Sequence, residues 1–152
     1  MNKKVLTLCV VHQDGKVLLG MKKKGFGMGK WNGFGGKVEA GETVEAAARR
    51  ELQEEAGIDV TTLEKAGMML CDIAGEPFVR EVHVFRGAGV LGEPVESDEM
   101  LPRWFEAAAL PFAQMWQSDV TWFPLFLEGK SFRSTIAFDA KHTLLSHAVE
   151  PL

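Results

Sequence analysis

Glu51, Glu54 and Glu55 crowd the end of the run Val-Glu-Ala-Ala-Ala-Arg-Arg-Glu-Leu-Gln-Glu-Glu-Ala. At about 100° per residue, Val44, Ala47 and Ala48 share one face of a helix, and continuing that stripe reaches the three glutamates where leucines belong. Glu51 and Glu55 stand at i,i+4, where like charges repel by roughly 0.2–0.5 kcal/mol, and all three approach the negative end of the helix dipole. Something cationic belongs beside them. Hard divalent ions take oxygen ligands, and Mg²⁺ combines one or two carboxylates with waters and substrate phosphates. For Glu-x-x-Glu-Glu by itself, a solvated acidic face is the plain alternative.

The residues that feed the helix narrow the choice. Gly35 and Gly36 lack Cβ atoms, so the backbone there can approach an ion closely and turn sharply. Gly36, Glu42, Arg50, Glu51, Leu52, Glu54, Glu55, Gly57 and Ile58 fill, without an insertion, every fixed position of a longer pattern. That pattern resembles the signature of the Nudix hydrolases. The resemblance implies an α/β fold, the Nudix α/β/α sandwich with a mixed β-sheet between helices, as a single domain over residues 1–152. It implies hydrolysis of a nucleoside diphosphate linked to a further group. Glu51, Glu54, Glu55 and the main-chain carbonyl of Gly35, joined by Glu99, would hold Mg²⁺ or Mn²⁺ against the phosphates. Arg50 would orient a glutamate, and Glu55 or Glu99 would take the proton of the attacking water.

The likeness runs from about Val17 to Phe126, through Trp-Asn-Gly-Phe-Gly-Gly-Lys-Val at 31–38, Val-His-Val-Phe at 82–85 and Pro-Val-Glu-Ser-Asp-Glu-Met at 94–100. It is greatest with the family's mammalian-type MutT homologues, which sanitise oxidised purine nucleoside triphosphates. Their base pocket implies contacts from Asn32, Trp116, Ser118 and Asp119, with Thr7, Lys22, Phe26 and Met100 as further lining. Ser118 stands where that subfamily has a second aspartate, and Cys71 where it has an aromatic. Physically, Asn32 can donate and accept at a purine edge, and Trp116 can stack on its face for roughly 1–3 kcal/mol. The implied reaction converts 8-oxo-dGTP or 2-hydroxy-dATP to the monophosphate and pyrophosphate. Other readings keep the chemistry with a methylated purine triphosphate, a dinucleotide polyphosphate or nucleotides in general, or make the chain a non-catalytic nucleotide-binding module.

Composition agrees with a small-molecule substrate. The 152 residues are 46% hydrophobic, enough for one domain that buries roughly two-thirds of its unfolded surface. A net charge of −4 argues against a duplex-binding surface, which needs clustered Lys and Arg. The basic run Lys22, Lys23, Lys24 and Lys30 is local and suits either solvent or a triphosphate. Cys9 and Cys71 lie in apolar runs without metal-ligand spacing, which suits a reducing compartment. With no leader-like or membrane-spanning run, a cytoplasmic monomer without membrane or polymeric nucleic-acid partners is expected.

These chemical residues need elements to hold them. Val5 to Val11, the Asp14-Gly15 turn and Lys16 to Met21 predict an opening hairpin. The glycine-rich stretch from Gly25 to Gly36 reads as a shaped loop. Thr43 is a plausible N-cap and Gly57 a left-handed stop for the first helix. Lys65 to Ile73 and Phe78 to Phe85 read as strands, with His83 pointing away from the core. A short strand at Arg103 to Glu106, a helix capped by Asp119 or Thr121 with Pro124 near its first turn, and a strand over Ser131 to Phe138 complete the expectation.

Overall fold

Alternation in the first strand sets up the layering. In the computed structural model, which describes residues 2–152, β1 (Asn2–Gln13) sends Leu8 and Val10 to one side and Cys9 and Val11 to the other, all buried. A strand covered on both faces cannot spare a polar side. The Asp14-Gly15 turn leads into β2 (Lys16–Lys22), antiparallel to β1. There follow β3 (Trp31–Asn32), β4 (Asp59–Ile73), β5 (Phe78–Leu91), β6 (Met100–Glu106), β7 (Phe132–Phe138) and β8 (Leu144–Pro151). They form one sheet in the order β3-β2-β1-β5-β4-β7-β8, with β6 along the other edge of β2. β1 pairs parallel with β5 and β4 parallel with β7; the other pairs are antiparallel, so the sheet is mixed.

Each face carries one helix. α1 (Val44–Ala56) lays Ala48, Leu52 and Ala56 on the side of Cys9, Val11 and Phe85. α2 (Asp119–Leu127) lays Trp122, Phe123 and Phe126 on the side of Leu8, Val10 and Val84. The result is the expected α/β/α sandwich. Thr43 Oγ1 accepts the Ala46 N–H at 3.1 Å, and Gly57 closes α1 at φ 68°. No helix among the described residues is long and apolar enough to cross a membrane.

Four expectations change. The packing stripe of α1 runs through Leu52 and Ala56, so of the three glutamates Glu55 alone is buried in it and Glu54 faces solvent. The glycine-rich stretch is not all loop: it contains β3, and Phe34 and Lys37 bridge to Cys9 and Leu6 of β1. α2 is capped at Ser118, one residue before Asp119, which itself turns inward. His83 lies beside Thr7 on the α1 side of the sheet, half-buried, with Nε2 2.9 Å from Glu81 Oε2. A strand flanked by helices on both faces has no outward side there. β8 was not foreseen, because its mostly exposed residues make it an edge strand by pairing and not by burial.

Candidate active site

At the end of α1 the chain presses backbone against carboxylates. A Cβ on Gly35 would lie 1.8 Å from the Thr7 carbonyl oxygen, and one on Gly36 would lie 2.6 Å from Glu51 Oε1. Backbone contact thus requires glycine at 35, while at 36 a Cβ would displace the Glu51 carboxylate. The Thr7 N–H donates to the Gly36 carbonyl, and the Gly35 N–H donates to Glu55 Oε1 at 2.8 Å. Glu55 is 2% exposed, with Lys22 Nζ 4.0 Å from its other oxygen. Burial pushes its carboxyl up to about 8; Gly35 and Lys22 oppose the rise while Glu51 and Glu99 add to it. Glu51 is raised too, by burial, against the pull of Arg50.

Arg50 binds the acidic residues around it. Its Nε and Nη2 donate to Glu42 at 2.7 and 3.0 Å, Nη1 reaches Glu51 at 3.0 Å and Glu54 at 3.3 Å, and Nη2 also donates to the Lys37 carbonyl. The guanidinium and the Glu39 N–H draw the Glu42 carboxyl down to about 2. Glu99 is exposed just before β6, its carbonyl accepting the Lys23 N–H. Among the described residues, no three His, Cys, Asp or Glu side chains converge on one point. Glu54 and Glu51 turn to Arg50, while Glu55 turns to Gly35. The donor set still suits a hard divalent ion: it is all oxygen, carries surplus negative charge, and abuts a backbone that no Cβ crowds.

Glu55, Gly35 and Gly36 line one part of a cavity of about 330 Å³ that extends over the α2 side of the sheet. All nine residues expected to meet substrate line it: Thr7, Lys22, Phe26, Asn32, Cys71 and Met100, and also Trp116, Ser118 and Asp119. Arg50, Glu51, Glu54 and Glu99 do not. Asp119 is 4% exposed; Trp122 Nε1 donates to its Oδ1 at 3.3 Å, and its buried Oδ2 has no partner. Burial pushes that carboxyl up to about 7, against the Trp122 hydrogen bond and the charge of Lys30. Asn32 Oδ1 accepts the Gly33 N–H at 2.8 Å, so the amide offers its NH₂ to the cavity. Phe26 stacks on Trp116 with centroids 5.2 Å apart, and His142 packs against both rings. Thr7 is buried, and its Oγ1 has no partner either.

Sequence reading missed part of the wall: Met69 and Ile73 of β4, Arg80 and Val82 of β5, and Ile136 and Phe138 of β7. Alternation carries the signal for the first pair, since residues two before and two after Cys71 share its face. Arg80 gave no signal, because its place beside Cys71 depends on the β4–β5 register.

The model of the NUDIX domain matches residues 2–126. A zebrafish (Danio rerio) protein named oxidized purine nucleoside triphosphate hydrolase is 52% identical over 97% of this chain and 94% of its own length. The mouse (Mus musculus) protein of the same name is 48% identical over 96% and 94%. Among solved structures, a MutT protein from Bacillus halodurans superposes with a TM-score of 0.85 at 27% identity, covering 97% of both chains.

Proposed function

The chain belongs to the NUDIX domain family, and from that premise we propose that it hydrolyses oxidised purine nucleoside triphosphates, such as 8-oxo-dGTP or 2-hydroxy-dATP, to the monophosphate and pyrophosphate. It is a Nudix hydrolase, and its relatives named for oxidised purine nucleotides span nearly its whole length. One observation carries the substrate reading. A single cavity joins the buried carboxylate of Glu55 to the unpartnered carboxyl oxygen of Asp119, so the same space offers phosphate chemistry and a purine-sized polar anchor.

The chain's own groups divide the work. Trp116 and Phe26 supply aromatic faces for a base, Asn32 donates to its edge, and Asp119 donates while protonated and accepts when ionised. Lys22, beside Glu55, brings positive charge to the polyphosphate, while Lys30 lies over the Trp116 ring. Glu55, a strong base for a carboxylate, is poised to take a proton from the attacking water, with Glu99 as the other candidate. Glu51, Glu54, Glu55 and the Gly35 carbonyl, with Glu99, would hold the Mg²⁺ or Mn²⁺ on which hydrolases of this family depend. Such an ion neutralises phosphate charge and stabilises the leaving oxygen. Arg50 positions Glu51 and Glu54 without lining the cavity. We place the enzyme in the cytoplasm as a monomeric single domain over 1–152, a setting that suits its two free cysteines.

The test is a panel of triphosphates with Mg²⁺, compared by kcat/KM. Oxidised purine triphosphates should exceed dGTP and dATP by at least about tenfold; equal turnover of dGTP and 8-oxo-dGTP would refute the sanitising role. Because Cys71 lines the wall where an aromatic is expected in the subfamily, a methylated purine triphosphate belongs in the panel as the competing substrate.

A further inference from the structure

Beside Lys4 of β1, which lines the cavity in register with Arg80, the part of the wall that β4, β5 and β7 supply is apolar except at one place. Met69, Cys71, Ile73, Val82, Ile136 and Phe138 form it, and among them stands Arg80, paired in register with Cys71 and 12% exposed. A buried guanidinium is costly unless its N–H groups are engaged. Glu76, in the turn before β5, accepts from Nε at 3.2 Å and from Nη2 at 2.8 Å. The other N–H groups, those of Nη1 and the remaining one of Nη2, have no acceptor among the described residues. The guanidinium carbon lies 4.1 Å from the centre of the Phe26 ring and 5.3 Å from that of Phe78. The fork is therefore held by a carboxylate and by two aromatic faces, with donors to spare on a cavity wall.

The rest of the cavity also offers donors. Asn32 has committed its oxygen to Gly33 and presents NH₂, while Ser118 contributes a hydroxyl. A purine that carries carbonyl oxygens answers such a surface better than one that carries amino groups, and guanidinium donors to purine acceptors are a strong form of base recognition. We propose that Arg80, positioned by Glu76, is a specificity-determining residue that donates hydrogen bonds to a carbonyl oxygen of an oxo-purine base. This rests on the reading that a purine occupies the cavity.

The experiment compares wild type, Arg80→Met, Arg80→Lys and Glu76→Gln by kcat and KM on 8-oxo-dGTP, dITP and dATP. Arg80→Met should lose about tenfold or more in kcat/KM on the two carbonyl-bearing substrates, through KM, and change less than about twofold on dATP. Arg80→Lys keeps the charge but not the fork and should behave like Arg80→Met; Glu76→Gln should show a weaker loss of the same selectivity. Equal losses on all three substrates would reduce Arg80 to a latch for Phe26 or a steering charge, and so would full activity in Arg80→Lys; either overturns the proposal, as does no change. If Arg80→Met does not fold, Glu76→Gln decides by the same selectivity. Quenching of tryptophan fluorescence by 8-oxo-dGMP and by dAMP, without metal, separates this idea from the hydrolase reading. If wild type cleaves none of the triphosphates, the sanitising function fails by itself. Weaker binding of 8-oxo-dGMP in Arg80→Met would still support the role of Arg80, and unchanged affinity or no binding to wild type would overturn it.

Discussion

A carboxylate with almost no solvent and its nearest cation 4.0 Å away is costly to keep ionised, and at Glu55 the Gly35 N–H and Lys22 offset burial only in part, so the carboxyl is pushed up to about 8. Such a group is retained for chemistry more readily than for stability. Glu55→Gln keeps the shape and the acceptor for the Gly35 N–H but removes the basic oxygen. Its kcat should fall by about 100-fold or more with Mg²⁺, while circular dichroism and melting temperature at pH 8 stay at or above wild type. Near-normal turnover in that variant would refute its role. At this scale the sequence was informative where a residue type is chemically unusual for its place: three glutamates on a helix, glycines before it, an Asn and a Trp near an aromatic loop. It was silent on partners. Nothing in the order of residues names Arg50 as the partner of Glu54 or says how deeply Glu55 is buried: the two glutamates stand about 100° apart on α1, and neighbouring elements decide which one is covered.

Elements position these residues through their ends. α1 must stop where it does, because Glu55 sits one residue before its last and Gly57 immediately follows it. Gly57 at φ 68° donates its N–H to the Gln53 carbonyl, and a Cβ there would meet Val95 Cγ2 at 2.8 Å. Gly57→Ala should therefore cost about 1–2 kcal/mol of stability from the left-handed backbone, with some further loss from Val95, measured as a shift in urea midpoint at constant slope. A midpoint within error of wild type would show that the helix end is not held as described. The cap residues were legible because Thr and Gly act locally, through their own side chain or its absence. The cap of α2 was read one residue late for a physical reason. Asp119 has the chemistry of an N-cap, yet it is buried against Trp122, and its burial is a tertiary event that no local rule anticipates.

Whole-molecule properties depend on pairings that cross the sequence. β8 and the Arg80–Cys71 juxtaposition arise from strand register, so neither was visible before the sheet was assembled, whereas the two-faced apolar pattern of β1 already required helices on both sides. Burial of Asp119 is the consequence of that assembly with a global readout. Its carboxyl titrates at about 7 in the fold against 3.8 for the ordinary group. Below about pH 4 both states hold the proton; between there and pH 7 the unfolded chain releases it while the native cavity keeps it, so stability falls as pH rises, and above pH 7 the native group ionises and the decline ends. A gap of this size corresponds to about 4 kcal/mol at most, at about 1.36 kcal/mol per pH unit. Asp119→Asn mimics the protonated acid, still accepts from Trp122 Nε1 and cannot ionise. Its melting temperature should match wild type near pH 4 and exceed it by several degrees at pH 8, with Glu55 contributing equally to both curves and cancelling from their difference. Parallel curves across that range would mean that Asp119 is ionised in the native cavity, and the donor half of its role toward a purine would go with it.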